Sequence, residues 1–143
     1  MAEPLTWDVG LDADGDLPER CVHITGLPLI LQRIRRRLTT VLGEYLVDRS
    51  VGLPFFDWFA QKPPDVEAIG ALCRREIETC PGVVRVSEWT GSLDRDTRSL
   101  SFTAEVLTVD GDLSLVVYPL GEPGAGNTSS RLAPVVRSGR IAA

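Results

Sequence analysis

The chain has 143 residues, a formal net charge of −5, 43% hydrophobic residues and 24% charged residues. This describes one globular domain. It is too short for two ordinary domains and too apolar for wholesale disorder, and it lacks the composition of a collagen-like repeat or a disulfide-stapled miniprotein. The acidic balance disfavours direct nucleic-acid binding, which needs a basic phosphate-tracking surface.

Charge is unevenly distributed. Residues 1–19 hold Glu3, Asp8, Asp12, Asp14, Asp16 and Glu19 and no base, whereas residues 121–143 hold Arg131, Arg137 and Arg140 against Glu122 alone. Three cysteines, an odd number, fit a reducing compartment. No basic segment followed by an apolar one opens the chain, so no secretory signal is expected. The longest apolar runs, such as Leu27–Leu31, fall far short of the ~20 residues that span a bilayer. The sequence therefore reads as a soluble protein made in the cytoplasm, without membrane insertion.

Residues 1–25 read as an acidic, Asp/Gly/Pro-rich arm with an apolar patch at Leu5 and Trp7 and a short strand at Cys21–Ile24. Gly26 and Pro28 then open a helix. Leu27, Leu31, Ile34, Leu38 and Val41 line one face of it, and Gly43 is the expected C-terminal cap. The segment Glu44–Pro54 reads as an ordered loop. Phe55, Phe56, Trp58 and Phe59 place four aromatics within five residues, which predicts a short helix buried in a core or in a neighbour. A second long helix starts at Pro64-Asp65, shows an apolar face of Val66, Ile69, Cys73, Ile77 and Cys80, and stops at Pro81-Gly82.

The period then changes from helical to alternating. Val84, Val86 and Trp89 belong to a first strand. Leu100, Phe102, Ala104 and Val106 alternate with polar residues in a second, and Asp110-Gly111 turns the chain into Leu113, Leu115 and Val117. The predicted fold is α+β over residues 26–120: two main helices, a short aromatic helix and a three-stranded antiparallel meander. Residues 121–143 are read as a Gly/Pro/Ser-rich basic arm.

Little in the chain favours catalysis. His23 is the only histidine, and zinc takes about four N/S-type ligands, so no metal site and no cofactor are expected. Cys73 and Cys80 belong to an apolar helix face and are expected to pack as small hydrophobes. Glu44 and Asp48 form the best carboxylate pair for glycoside hydrolysis, with capping of backbone groups in the loop or pairing with arginines as the alternative. Arg33, Arg35, Arg36 and Arg37 form a basic run. Three consecutive helical residues spread over ~200°, so a solvated face with an Arg or two reaching a partner's acids is expected rather than one tight patch or a phosphate site.

The aromatic knot, the two charged arms and an edge at the last strand suggest a subunit of an assembly. The order Gln32, Leu38-Thr39-Thr40, Gly43-Glu44, Asp48 and Gly52, followed by an aromatic helix, a second helix and a meander, resembles the small baseplate wedge protein family of contractile phage tails. The resemblance spans roughly residues 24–118. That family is shared with type VI secretion baseplates and was once described as a tail lysozyme. Where its members often carry Glu-Pro-Arg, this chain has Thr79-Cys80-Pro81-Gly82 and its nearest Arg is Arg85.

The resemblance implies a non-enzymatic structural subunit, assembled in the host cytoplasm in multiple copies into a virion tail baseplate. Its partners would be other wedge subunits, the tube and the first sheath ring, with sheath strands adding to the meander edge. The expected partner contacts are Glu44, Asp48, Phe56, Trp58, Phe59, Arg85, Leu113, Leu115 and Val117. A tail-associated cell-wall glycosidase using Glu44 and a second carboxylate is the alternative, as is an unrelated cytoplasmic adaptor. No catalytic pair can be matched to the family residue by residue.

Overall fold

A computed structural model describes residues 6–12, 16–60, 65–96, 99–119 and 135–141. Its elements run β1 (Asp8–Val9), β2 (His23–Ile24), α1 (Gly26–Thr39), α2 (Phe55–Ala60), α3 (Val66–Glu78), β3 (Val83–Asp94), β4 (Ser99–Thr108), β5 (Gly111–Tyr118) and β6 (Val135–Ile141). β1 and β2 form a small antiparallel pair, and the main sheet has the order β3-β4-β5-β6. The architecture is α+β, with helices on one face of an antiparallel sheet.

α1 forms because its apolar residues recur on one face: Leu27, Ile30, Leu31, Ile34 and Leu38 are all buried. It ends earlier than the glycine at 43 suggested. The Thr39 and Thr40 hydroxyls each donate back to the last turn, Thr39 to the Arg35 carbonyl (2.7 Å) and Thr40 to that of Arg36 (2.6 Å). The chain then leaves in an extended conformation at Thr40. Gly43, at φ +85°, serves instead as a turn residue in the loop beyond.

That loop is closed at its base. Leu42 N–H donates to the Leu53 carbonyl (2.9 Å), and Leu53 N–H donates to that of Thr40 (3.0 Å). Gly52 makes the closure possible: it sits at φ +114°, and a Cβ there would lie 2.6 Å from the Val41 carbonyl carbon. Leu53, 2% exposed, plugs the loop into the core, and Trp58 of α2 is buried beside it in the same cluster. The side chains of Phe55, Phe56 and Phe59 lie outside the described set.

α3 is capped by Asp65, whose carboxylate accepts from Ala68 N–H (3.1 Å). Its buried residues Ile69, Gly70, Cys73 and Ile77 lie against the sheet. On the sheet's inner face Leu100, Phe102, Ala104 and Val106 of β4 and Leu113, Leu115 and Val117 of β5 are buried. The outer face is polar, with the Ser114 hydroxyl donating across the strands to Glu105 (2.6 Å). This is the alternation expected when an antiparallel sheet faces water on one side. Thr108 braces the β4–β5 turn: its hydroxyl donates to the Gly111 carbonyl (2.7 Å) and accepts from Asp110 N–H (3.2 Å).

The centre of the helix–sheet interface is Phe102. It pairs with Gly91 across the ladder, and a Cβ at Gly70 or at Gly91 would lie 2.8 or 2.9 Å from its ring. Trp89 stacks on it with ring centroids 5.1 Å apart. Two glycines thus make room for one aromatic ring, which brings α3 close to the sheet.

The sheet differs from the predicted three-stranded meander in having a fourth strand. Residues 135–141 pair antiparallel with β5, from Tyr118↔Val135 to Leu113↔Ile141, and lie beside α1. The outer strands of the sheet are therefore β3 and β6, and the free side predicted for β5 is occupied by the chain's own backbone.

Cys73 is 1% exposed. Burial pushes its thiol up to about 12 from an ordinary value of 9.0, and the nearby charge of Glu76 acts in the same direction. Because the folded state holds the proton more tightly, this contribution to stability is complete below pH 9 and is lost as pH rises toward 12. Denaturant midpoints are expected to fall across that window. At about pH 8, a thiol reagent is expected to modify Cys21, which is exposed, and to spare Cys73 and Cys80 until the chain unfolds. Equal labelling of all three under native conditions would contradict this packing.

Candidate interaction site

The predicted contact residues do not converge on one point. Glu44 and Asp48 lie in the exposed loop after α1, Trp58 is in the core, Arg85 is exposed at a register irregularity of β3, and Leu113, Leu115 and Val117 face the core. The side chains of Phe56 and Phe59 fall outside the described residues. The three β5 residues hold the sheet against the helices, and the backbone of β5 is paired with β4 on one side and β6 on the other, so a strand added on this side would meet β6.

The carboxylate pair is occupied by local structure. Glu44 Oε2 accepts from Val41 N–H (3.0 Å), while Asp48 Oδ1 accepts from the Ser50 hydroxyl (2.6 Å) and Ser50 N–H (3.0 Å). These bonds from Ser50, the hydroxyl first, hold the Asp48 carboxyl below its ordinary range. A glycosidase general acid needs the opposite shift, which burial in an apolar pocket supplies. Among the described residues no group of three His, Cys, Asp or Glu could hold a metal ion. No described helix is long and apolar enough to cross a membrane.

The arginine run behaves differently from the sequence expectation. Arg33, Arg36 and Arg37 stand at i, i+3 and i+4, and all three line one groove of about 560 Å³ together with Tyr45 and Val51 of the loop and Glu76 of α3. Arg37 donates to the Thr79 hydroxyl (2.9 Å) and lies 4.0 Å from a Glu76 carboxylate oxygen, and Arg33 donates to the Pro81 carbonyl (3.4 Å). Arg35 is not among the groove's lining residues. The signal was present in the i, i+3, i+4 spacing, but reading the four arginines as one run concealed it.

Next to the groove the loop exposes Leu42, Tyr45, Leu46, Val47 and Val51, with Leu46 81% and Val47 84% exposed. Five large apolar side chains at the surface of so short a loop form a patch of the kind that marks interaction surfaces.

The same helix also holds residues 8–11 of the amino-terminal segment. Gln32 grips it as a neighbouring strand would: Oε1 accepts from Leu11 N–H (3.0 Å) and Nε2 donates to the Val9 carbonyl (3.0 Å). The Asp8 carboxylate lies 3.8 Å from Arg36, and Trp7 packs on His23 with ring centroids 4.4 Å apart.

Comparison with curated proteins found no match. The family model described as contractile injection system sheath initiator matches residues 7–111. The match begins at Trp7, so the segment paired with β2 and gripped by Gln32 falls within the family's module, beyond the 24–118 span of the sequence resemblance. It ends at the β4–β5 turn, before most of β5 and all of β6. Since this span covers well over half of the chain, the protein belongs to the family of contractile injection system sheath initiators.

Proposed function

We propose that this chain is a structural subunit of a contractile-tail baseplate wedge, joining wedge, tube and the first ring of sheath. The observation that carries this reading is the sheath initiator match over residues 7–111. In this reading several copies assemble in the host cytoplasm into the baseplate, and sheath subunits extend the main sheet by strand addition.

The two outer strands differ in degree in their suitability for that addition: β6 has one register irregularity, opposite Leu113 and Leu115, and its sequence carries Arg137 and Arg140, whereas β3 has two irregularities. β3 is irregular between Val83 and Arg85 and between Val86 and Glu88, and it carries the exposed charges Arg85 and Glu88. Irregular pairing and edge charges discourage pairing with another chain. The β5–β6 side is therefore the one assigned to the sheath, with Leu113, Leu115 and Val117 anchoring the strand that supports it.

Sedimentation of a lysate of the producing cell tests the assignment. The chain is expected to migrate with a large particle that also contains tube and sheath proteins. Recovery only as a free 15.6 kDa species would overturn it. Glu44→Gln is expected to leave both assembly and any cell-wall hydrolysis by the particle unchanged. Loss of hydrolysis with assembly intact would instead favour the glycosidase.

A further inference from the structure

We infer that the arginine groove on α1, together with the apolar loop at its rim, is a docking site for an extended acidic segment of a neighbouring polypeptide that also carries aliphatic or aromatic side chains. The site stands on its own geometry and does not depend on where the sheath strand adds.

The chemistry of the two halves defines the ligand. Arg33, Arg36 and Arg37 all line the groove; Arg33 is steadied by the Pro81 carbonyl and Arg37 by Thr79 and Glu76, and the Arg36 side chain is 69% exposed. Guanidinium forks bind carboxylates in paired hydrogen bonds. Tyr45 and Val51 of the loop also line the groove, and Leu46 and Val47 of the same loop are exposed. A purely acidic ligand would leave that apolar rim in water, and a purely apolar one would desolvate the exposed Arg36 side chain without offering it a carboxylate. A segment alternating carboxylate and apolar residues satisfies both.

The chain itself supplies a precedent on the same helix. Its residues 8–11 run extended across α1, bonded through their backbone to Gln32 and through Asp8 to Arg36. α1 thus holds an extended segment in cis through Gln32, with that segment's Asp8 beside Arg36, and Arg36 also lines the groove together with Arg33 and Arg37. A nucleic acid fits less well, because Glu76 lines the groove, Tyr45 is the one aromatic among the groove's lining residues, and the exposed side chains Leu46 and Val47 of the same loop are aliphatic.

The test uses the full chain and a short capped, fluorescently labelled peptide alternating glutamate and leucine. Two control peptides replace glutamate by glutamine or leucine by serine. The glutamate–leucine peptide is expected to bind, with each control about tenfold weaker, the scale of one lost charge-assisted hydrogen bond or one buried apolar anchor. Arg36→Glu and Tyr45→Ser are each expected to weaken it about tenfold as well.

Both positions are exposed, and the Arg36–Asp8 pair is a long surface contact that adds little stability. Unchanged melting curves are therefore expected for the two variants. Absence of binding to the folded wild type, equal binding of the glutamine peptide, or equal binding by Arg36→Glu and wild type would overturn the proposal. So would tighter binding of an oligothymidylate probe, which would assign the guanidinium groups to phosphate.

Discussion

Phe102→Ala is expected to cost about 3–5 kcal/mol of folding stability, the range for deleting a buried aromatic ring. The ring is 2% exposed, stacks on Trp89, and fills the space left by Gly70 of α3 and Gly91 of β3. Removing it takes contacts away from a helix and from a neighbouring strand together. The two glycines carry no side chains that could move into the void, so little collapse can offset the loss. Domains of this size have net stabilities of about 5–15 kcal/mol, so the variant would lose a large part of its margin. Urea denaturation followed by tryptophan fluorescence measures the change directly, since Trp89 lies against the ring. A loss under about 1 kcal/mol would show that the helix–sheet interface does not depend on this residue.

Removal of residues 121–143 is expected to abolish incorporation into the sheath-bearing particle while leaving a folded core. The deletion takes away β6, which pairs with β5 and lies beside α1. Cross-strand pairs contribute about 0.2–1 kcal/mol each, so the remaining domain is expected to melt lower but cooperatively. Leu113, Leu115 and Val117 keep their places in the core because β4 and the helices still cover them. In the proposed reading, β6 forms the side of the sheet that meets the sheath, so its loss acts on assembly more than on folding. Two measurements separate these effects: a thermal melt of the purified chain, and the amount of chain that sediments with tube and sheath. Wild-type incorporation of the truncated chain would remove β6 from the interface.

The elements that could be read from the chain are those whose pattern repeats along it. α1 and α3 show apolar residues at three- and four-residue steps because each buries one face, and β4 and β5 alternate because one face of the sheet is wet. Glu44 and Asp48 could be nominated from residue type alone. Loop capping was one of the readings the sequence offered for them, but which groups they cap could be read only once the loop was closed, because the bonds to Val41 and Ser50 depend on its conformation. The Arg33, Arg36 and Arg37 groove was half legible. Helical spacing brings the three together, but its other wall comes from Tyr45 and Val51, which reach it only because Gly52 closes the loop.

The sequence by itself determined the α+β class, the two long helices, the β4–β5 hairpin and most of the core, since each rests on a local period set by burial on one side. Tertiary structure alone decided two further elements, β1 and β6. The sequence offered a short strand at Cys21–Ile24, where β2 forms, but β1 is two residues long, too short to carry a pattern, and its order comes from Gln32 and Arg36 on a helix that follows it in the chain. β6 follows a Gly/Pro/Ser-rich run and carries Arg137, Gly139 and Arg140 among few apolar residues, so its local preference for a strand is weak. It becomes a strand because β5 presents an unsatisfied row of backbone donors and acceptors, and a partner for such a row is specified by the fold, not by the segment that fills it.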